Sequence, residues 1–270
     1  MFGRLLPYDF NTSQFLSAVK ITDPVQIDAV NTLVFNLKGA GLWDSLDAIY
    51  PLMGGTAGPQ SYNLKDIYQY QLSFTGTITH TSTGLEFAGL NTSWADTGIG
   101  ENTFHAAGSG ADIHLSAQVY RSGPVLNDLM GIGPAAISGA TSQGSYIGFD
   151  GNADTWFGQA RGRRNQQYVS GANQNTSGFY LVSRRPTSSA ELYYQKNGTG
   201  GTAASVNEGT IGSNYNYYLG GTNTGGVIVD NPLSGEITFS TLGAGLSDTQ
   251  AVTLYNLVQT FNAKVGKTTS

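Results

Sequence analysis

The chain has 270 residues, of which 11% are charged, with a net charge of −5, 37 glycines and no cysteine. The acidic balance and scattered basic residues argue against a nucleic-acid binder, which needs a basic stripe to neutralise phosphates. The absence of cysteine excludes disulfides and zinc–thiolate sites. Length predicts one main domain with an extension, and a surface of Gly, Ser, Thr, Asn and Gln suits short strands joined by tight turns.

Residues 1–70 read as a helical segment. Asn11 and Gln14 offer a capping box ahead of Phe15, Leu16 and Val19. A second start is clearer: Asp23 can cap, Pro24 suits the first helical position and Gln26 completes the box. Ile27, Val30, Val34 and Leu37 then form one apolar stripe, with Gly39 and Gly41 as terminators. A further helical turn is expected over Leu42–Tyr50, stopped by Pro51, before an irregular Gly- and Pro-rich connection.

From Gln71 the period changes to two. Alternation through Leu72 and Phe74 to Thr79 predicts one strand, and Ile113, Leu115, Ala117 and Val119 predict another. Short strands follow around Tyr146 and Trp156, at Phe179–Ser183, Glu191–Gln195, Tyr215–Leu219 and Glu236–Ser240. Asn197-Gly198 is a hairpin turn whose two central residues need positive φ. Ser247 and Gln250 box the start of a closing helix over 247–265, with Leu254, Val258, Phe261 and Val265 as its stripe and Gly266 as its stop. The expected class is therefore mainly β, an antiparallel jelly-roll β-sandwich over 71–270 with the helical segment before it and the helix after it.

The C-terminal third resembles the laminin-G / concanavalin A-like family. The resemblance is carried by Leu192–Gly198, Tyr218-Leu219-Gly220-Gly221, Ser234–Phe239 and Gly245–Gln250 leading to Leu254-Tyr255. Over a longer span, Ile21–Trp43, Ala48–Asp66, Leu72–Thr83 and Gly245–Lys267 resemble a group of phage-encoded virion proteins. That resemblance implies a structural protein of a phage particle (capsid decoration, head fibre or tail component) assembled in the host bacterial cytoplasm. It would act through other virion proteins and through self-association, with residues 1–70 as the docking element. The alternative it leaves open is a receptor-binding adhesin that holds a host surface glycan. Residues 1–10 lack the long apolar run of a secretory signal, and no stretch is apolar enough to span a bilayer, so membrane insertion is not expected.

Chemistry in the sequence is sparse. Laminarinase-like relatives of the sandwich carry two glutamates close together on one strand, and retaining hydrolysis needs two carboxyls about 5–5.5 Å apart. Here Glu86, Glu101, Glu191, Glu208 and Glu236 stand alone along the chain, so a non-enzymatic protein is expected. Asp150, Asn152 and Asp154 alternate as calcium ligands do, yet Thr155 and Arg161 occupy the positions where an EF-hand needs Gly and Glu. A polar turn with no cofactor is the competing reading, and calcium stays open beside it. Arg161, Arg163 and Arg164 form the one basic cluster, suited to a carboxylate-bearing partner or an anionic glycan. Tyr193, Tyr194, Tyr215, Tyr217 and Tyr218 lie in strands, where alternation sends some outward; pairing across the sheet is the plainer role, and an outward ring that stacks on a sugar or anchors an interface is the functional one, with Tyr193, Tyr215 and Tyr217 as its candidates.

Overall fold

Side-chain caps and the pleat decide most of the architecture. The computed structural model describes residues 8–100, 113–120, 132–134, 143–150, 155–163, 168–169, 177–184, 191–204, 215–223 and 232–267. Among the described residues, helices α1 (Phe10–Val19), α2 (Pro24–Gly39), α3 (Ala57–Ser61) and α4 (Asp248–Lys264) accompany sixteen strands. The strands are β1 (Leu46–Tyr50), β2 (Ser73–Thr75), β3 (Ile78–His80), β4 (Leu85–Ala88), β5 (Trp94–Gly100), β6 (Ile113–Tyr120), β7 (Ile132–Pro134) and β8 (Gln143–Asp150). They continue with β9 (Thr155–Arg163), β10 (Tyr168–Val169), β11 (Gly178–Arg184), β12 (Glu191–Lys196), β13 (Thr199–Ala204), β14 (Asn216–Leu219), β15 (Gly221–Asn223) and β16 (Ser234–Gly243).

Asp23 caps α2 as expected, accepting the Val25 N–H at 2.9 Å, and Ser247 and Gln250 close a full capping box on α4. The cap of α1 is Asp9, two residues before Asn11, whose N–H it accepts at 2.9 Å. The helical turn expected over Leu42–Tyr50 shrinks to a 3-10 turn at Trp43–Ser45, because Leu46–Tyr50 finds a ladder partner in β16. The strand expected through Leu72–Thr79 breaks at Gly76 (φ 72°): β2 pairs with β5 and β3 pairs with β4. Asn197 (φ 51°) and Gly198 (φ 76°) make the expected turn between β12 and β13.

An eight-stranded sheet runs β13-β12-β11-β6-β16-β4-β3, with β1 also on β16. One face buries Leu85, Leu115, Val119, Val182, Ile237 and Leu242 against Ala95, Ile99, Ile147, Trp156, Tyr217 and Leu219 of a second β layer. That layer consists of β10-β9-β8, β14-β5-β2 and the parallel pair β15-β7, where β7 sits beside both β8 and β14. The other face of the large sheet buries Phe179, Leu181, Tyr193 and Phe239 under Val30, Val34 and Leu37 of α2 and Leu254, Val258 and Phe261 of α4. The fold is thus mainly β, built of antiparallel sheets apart from that one parallel pair, with a closing helix.

Both faces of the large sheet are buried, and β16 exchanges the two sets of side chains that it sends to them at a bulge. Its register shifts between Ile237, opposite Val119, and Phe239, opposite Gln118. Ile237 and Phe239, two residues apart, therefore enter different cores. The carbonyl of the extra residue, Thr238, accepts from the Lys267 ammonium at 2.9 Å. That ammonium also donates to Pro51 O at 2.6 Å and Leu52 O at 3.2 Å, and burial pushes its pKa down to about 7. Buried His114 is likewise pushed down to about 4 by burial and bridges Ala244 O and the Thr241 hydroxyl as a neutral ring.

Lys267→Met would keep much of the volume and remove the donor for these carbonyls. Orphaned buried acceptors cost about 1–3 kcal/mol each, so a loss of about 3 kcal/mol or more is expected in urea unfolding. A loss below about 0.5 kcal/mol, the scale of an ordinary surface substitution, would show that the bulge does not depend on this side chain.

Candidate functional site

The outer face of the second β layer points away from both cores, and β5 and β14 concentrate side chains with chemical capacity there. Along β5, Ala95, Thr97 and Ile99 are buried, while Trp94, Asp96 and Gly98 alternate to the other side. Asp96 stands opposite Tyr218 of β14 and Ser73 of β2. The Trp94 and Tyr218 rings lie within 8° of parallel with centroids 5.4 Å apart. Ser73 and Thr75 carry exposed hydroxyl side chains beside them.

The pairing of β5 with β14 is interrupted, and side chains replace the missing ladder bonds. The register jumps between Asn216–Gly100 and Tyr218–Asp96. Within this jump the Thr97 hydroxyl donates to Tyr217 O at 2.8 Å and accepts from Ile99 N–H at 3.1 Å. Gly98 takes φ 67°, a conformation that favours glycine, and its N–H donates to Asp96 Oδ1 at 2.8 Å. The Asn216 amide donates to Asp96 Oδ2 at 3.3 Å, and Asn223 donates to Asn216 O at 2.8 Å. Asp96 is thereby fixed as a half-buried acceptor next to an aromatic surface. Burial chiefly, and then the Asp96 charge, raise the Tyr218 hydroxyl above its usual pKa; a hydrogen bond from Trp94 opposes them.

The sequence-derived candidates fall in different places. Tyr215, 41% exposed, lies directly before β14 at the end of this face. Tyr217 is fully buried in the core between the β layers, and Tyr193 lies under the helices, so neither offers the outward ring expected of it. The pleat turns Tyr218, not Tyr217, to the outer side of β14, where its ring stacks against Trp94 and is only 5% exposed. Arg161 and Arg163 belong to the backbone of β9, while Arg164 lies outside the described residues. Asp150 ends β8, and Asn152 and Asp154 lie outside the described residues. Among the described residues, no group of three or more His, Cys, Asp or Glu could hold a metal ion. No described helix is long and apolar enough to cross a membrane.

Trp94, Asp96 and Asn216 escaped the sequence reading. The available signal was the alternation Trp94-Ala95-Asp96-Thr97-Gly98-Ile99, which small and polar residues make faint. The glutamates, isolated along the chain, are not all isolated in space: Glu86 of β4 stands directly opposite Glu236 of β16.

No family model matches the sequence, and no curated protein matches it. Solved structures do match. A mutant of Trypanosoma rangeli sialidase displaying trans-sialidase activity aligns with a TM-score of 0.55 at 13% identity, over 86% of this chain and 39% of that one. The same organism's sialidase in complex with sialic acid aligns with a TM-score of 0.55 at 13% identity, over 85% of this chain and 38% of that one. This chain therefore spans about two-fifths of the length of the sialidases it resembles. The likeness shows a shared fold. It stands against the expectation of a non-enzymatic protein, since the two matched proteins are a sialidase and a mutant of it displaying trans-sialidase activity. Nothing in these likenesses points to a phage particle.

If the Asp96 charge adds to burial in raising Tyr218 as described, Asp96→Asn lowers the alkaline midpoint of Tyr218, and with it that of Tyr50, which the same charge raises. Ring-labelled tyrosine followed by NMR through an alkaline titration checks this. An unmoved Tyr218 midpoint would leave burial as the whole cause.

Proposed function

We propose that the chain is a glycan-binding module whose binding face is the outer surface of β5 and β14. The observation that carries this is the near-parallel Trp94–Tyr218 pair held next to Asp96 and Asn216. An aromatic face takes the apolar side of a sugar ring, while a fixed carboxylate and amide accept from and donate to its hydroxyls. Such sites combine apolar surface with a few placed polar groups. The resemblance of the fold to a sialidase that holds sialic acid supports a glycan ligand in general kind. On this reading the layers form a lectin-like sandwich, and the adhesin alternative fits better than a purely structural role.

The test is a glycan array with the full chain, followed by calorimetry on the saccharides retained. Trp94→Ala should weaken binding about tenfold or more, which corresponds to about 1.4 kcal/mol. Trp94→Phe should recover part of it, with thermal unfolding little changed. A folded wild-type protein that retains no saccharide would remove this reading.

A second reading rests on a different surface. Phe10 and Phe35 are 71% and 72% exposed on α1 and α2, and the Asp9–Lys38 ion pair (2.7 Å) ties those two helices together. Rings this exposed on α1 and α2 suit contact with a protein neighbour, including a further subunit of a virion or a second copy of this chain. Replacing both with serine should leave unfolding unchanged and abolish any concentration-dependent mass increase in sedimentation. An unaltered association constant would take this surface out of consideration.

A further inference from the structure

The proposed binding face carries an acceptor and no described cation, and that restricts the sugar it can take. Asp96 receives Gly98 N–H and the Asn216 amide. An ionised carboxylate has about four lone-pair directions, so capacity is left for further donors. Its neighbours Ser73, Thr75 and Asn216 are neutral.

Among the described cations, Lys20 ends α1, and the others below have partners away from this face. Lys38, Lys65 and Lys264 belong to the helical side of the molecule, paired with or beside Asp9, Asp44 and Asp28 respectively. Lys267 is consumed by the β16 bulge, Arg184 donates to Ala160 O at 2.6 Å while fully buried, and Lys196 lies over the Tyr180 ring. The whole chain is also acidic, at −5.

A sugar hydroxyl brings a donor that Asp96 can accept. A sugar carboxylate brings only acceptors and a like charge, which a half-buried carboxylate repels more strongly than one in open water. Resting on the glycan-binding reading above, we infer that the β5–β14 face selects neutral saccharides whose hydroxyls donate to Asp96, and that Asp96 excludes sialylated and uronic-acid glycans. The fold shared with a sialidase is, on this inference, used for uncharged sugars.

The experiment is calorimetry of the full chain against lactose, maltotriose, cellotriose and mannotriose as neutral probes. Sialyllactose and trigalacturonate are the acidic ones, each measured at low and high salt. The expected result is binding confined to neutral members and insensitive to salt. Asp96→Asn, which keeps the side-chain shape and an acceptor for Gly98 N–H, should weaken neutral binding by about tenfold. Near-UV circular dichroism confirms that the variant is folded. Binding of an acidic probe as tight as that of any neutral one would overturn the inference and leave the glycan-binding reading standing. So would neutral binding unchanged in Asp96→Asn. Failure of the folded wild type to bind any member of either set would overturn both.

Discussion

The bulge at Thr238, plugged by the Lys267 ammonium, changes which alternate residues of β16 enter each of the two hydrophobic cores. An unbroken strand returns every second side chain to the same face. With one residue inserted, Ile237 joins the core between the β layers and Phe239 reaches Phe261 of α4, with ring centroids 5.6 Å apart. The insertion leaves a buried carbonyl out of the ladder, and an unmet buried acceptor is costly. Lys267 meets it and ties in Pro51 and Leu52, so the end of α4, the end of β1 and the middle of β16 share one donor. The helical layer, the large sheet and its inner partner are coupled at that point.

Burial of the large sheet on both faces explains why so many polar groups lie inside it. β6 and β11 are buried along nearly their whole length, yet they contain His114, Ser116, Gln118 and Ser183. These groups find local partners: His114 bridges Ala244 and Thr241, Ser116 pairs with Thr241, and Ser183 both donates to Leu246 O and accepts its N–H. Hydrogen bonding of this sort fixes where the chain leaves β16 and turns into α4. It also shows why the strands did not read as uninterrupted apolar runs, the usual mark of a sheet covered on both sides.

Legibility of the sequence followed how local the determinant was. The cap and stripe of α2, the capping box of α4 and the Asn197-Gly198 turn are each settled by a few adjacent residues, and each was readable. β1 was not, because Leu46–Tyr50 has no strand signal of its own and becomes a strand through β16, nearly 200 positions away. β5 was missed for a related reason, since Thr97 and Gly98 replace ladder bonds with side-chain and turn geometry that no alternation rule anticipates. The candidate face depends on that missed strand. Its tyrosine was misassigned by one position, Tyr217 for Tyr218, because a single-residue change of phase exchanges the two faces of a strand.

The carboxylates show the same limit from another side. A search along the chain for two acids on one strand finds none, while the antiparallel ladder sets Glu86 and Glu236 directly opposite each other. Proximity alone does not make them a catalytic pair: Glu236 Oε1 accepts from the Thr81 and Thr83 hydroxyls at 2.5 and 2.6 Å. Those bonds hold Glu236 to the loop between β3 and β4 and give it a structural task. Asp96 differs because its bonds leave it facing an aromatic pair on the outer side of a sheet, where a ligand ring could lie. A fold shared with an enzyme admits both outcomes, and what separates the two carboxylates is which has unsatisfied directions beside a surface that a ligand could cover.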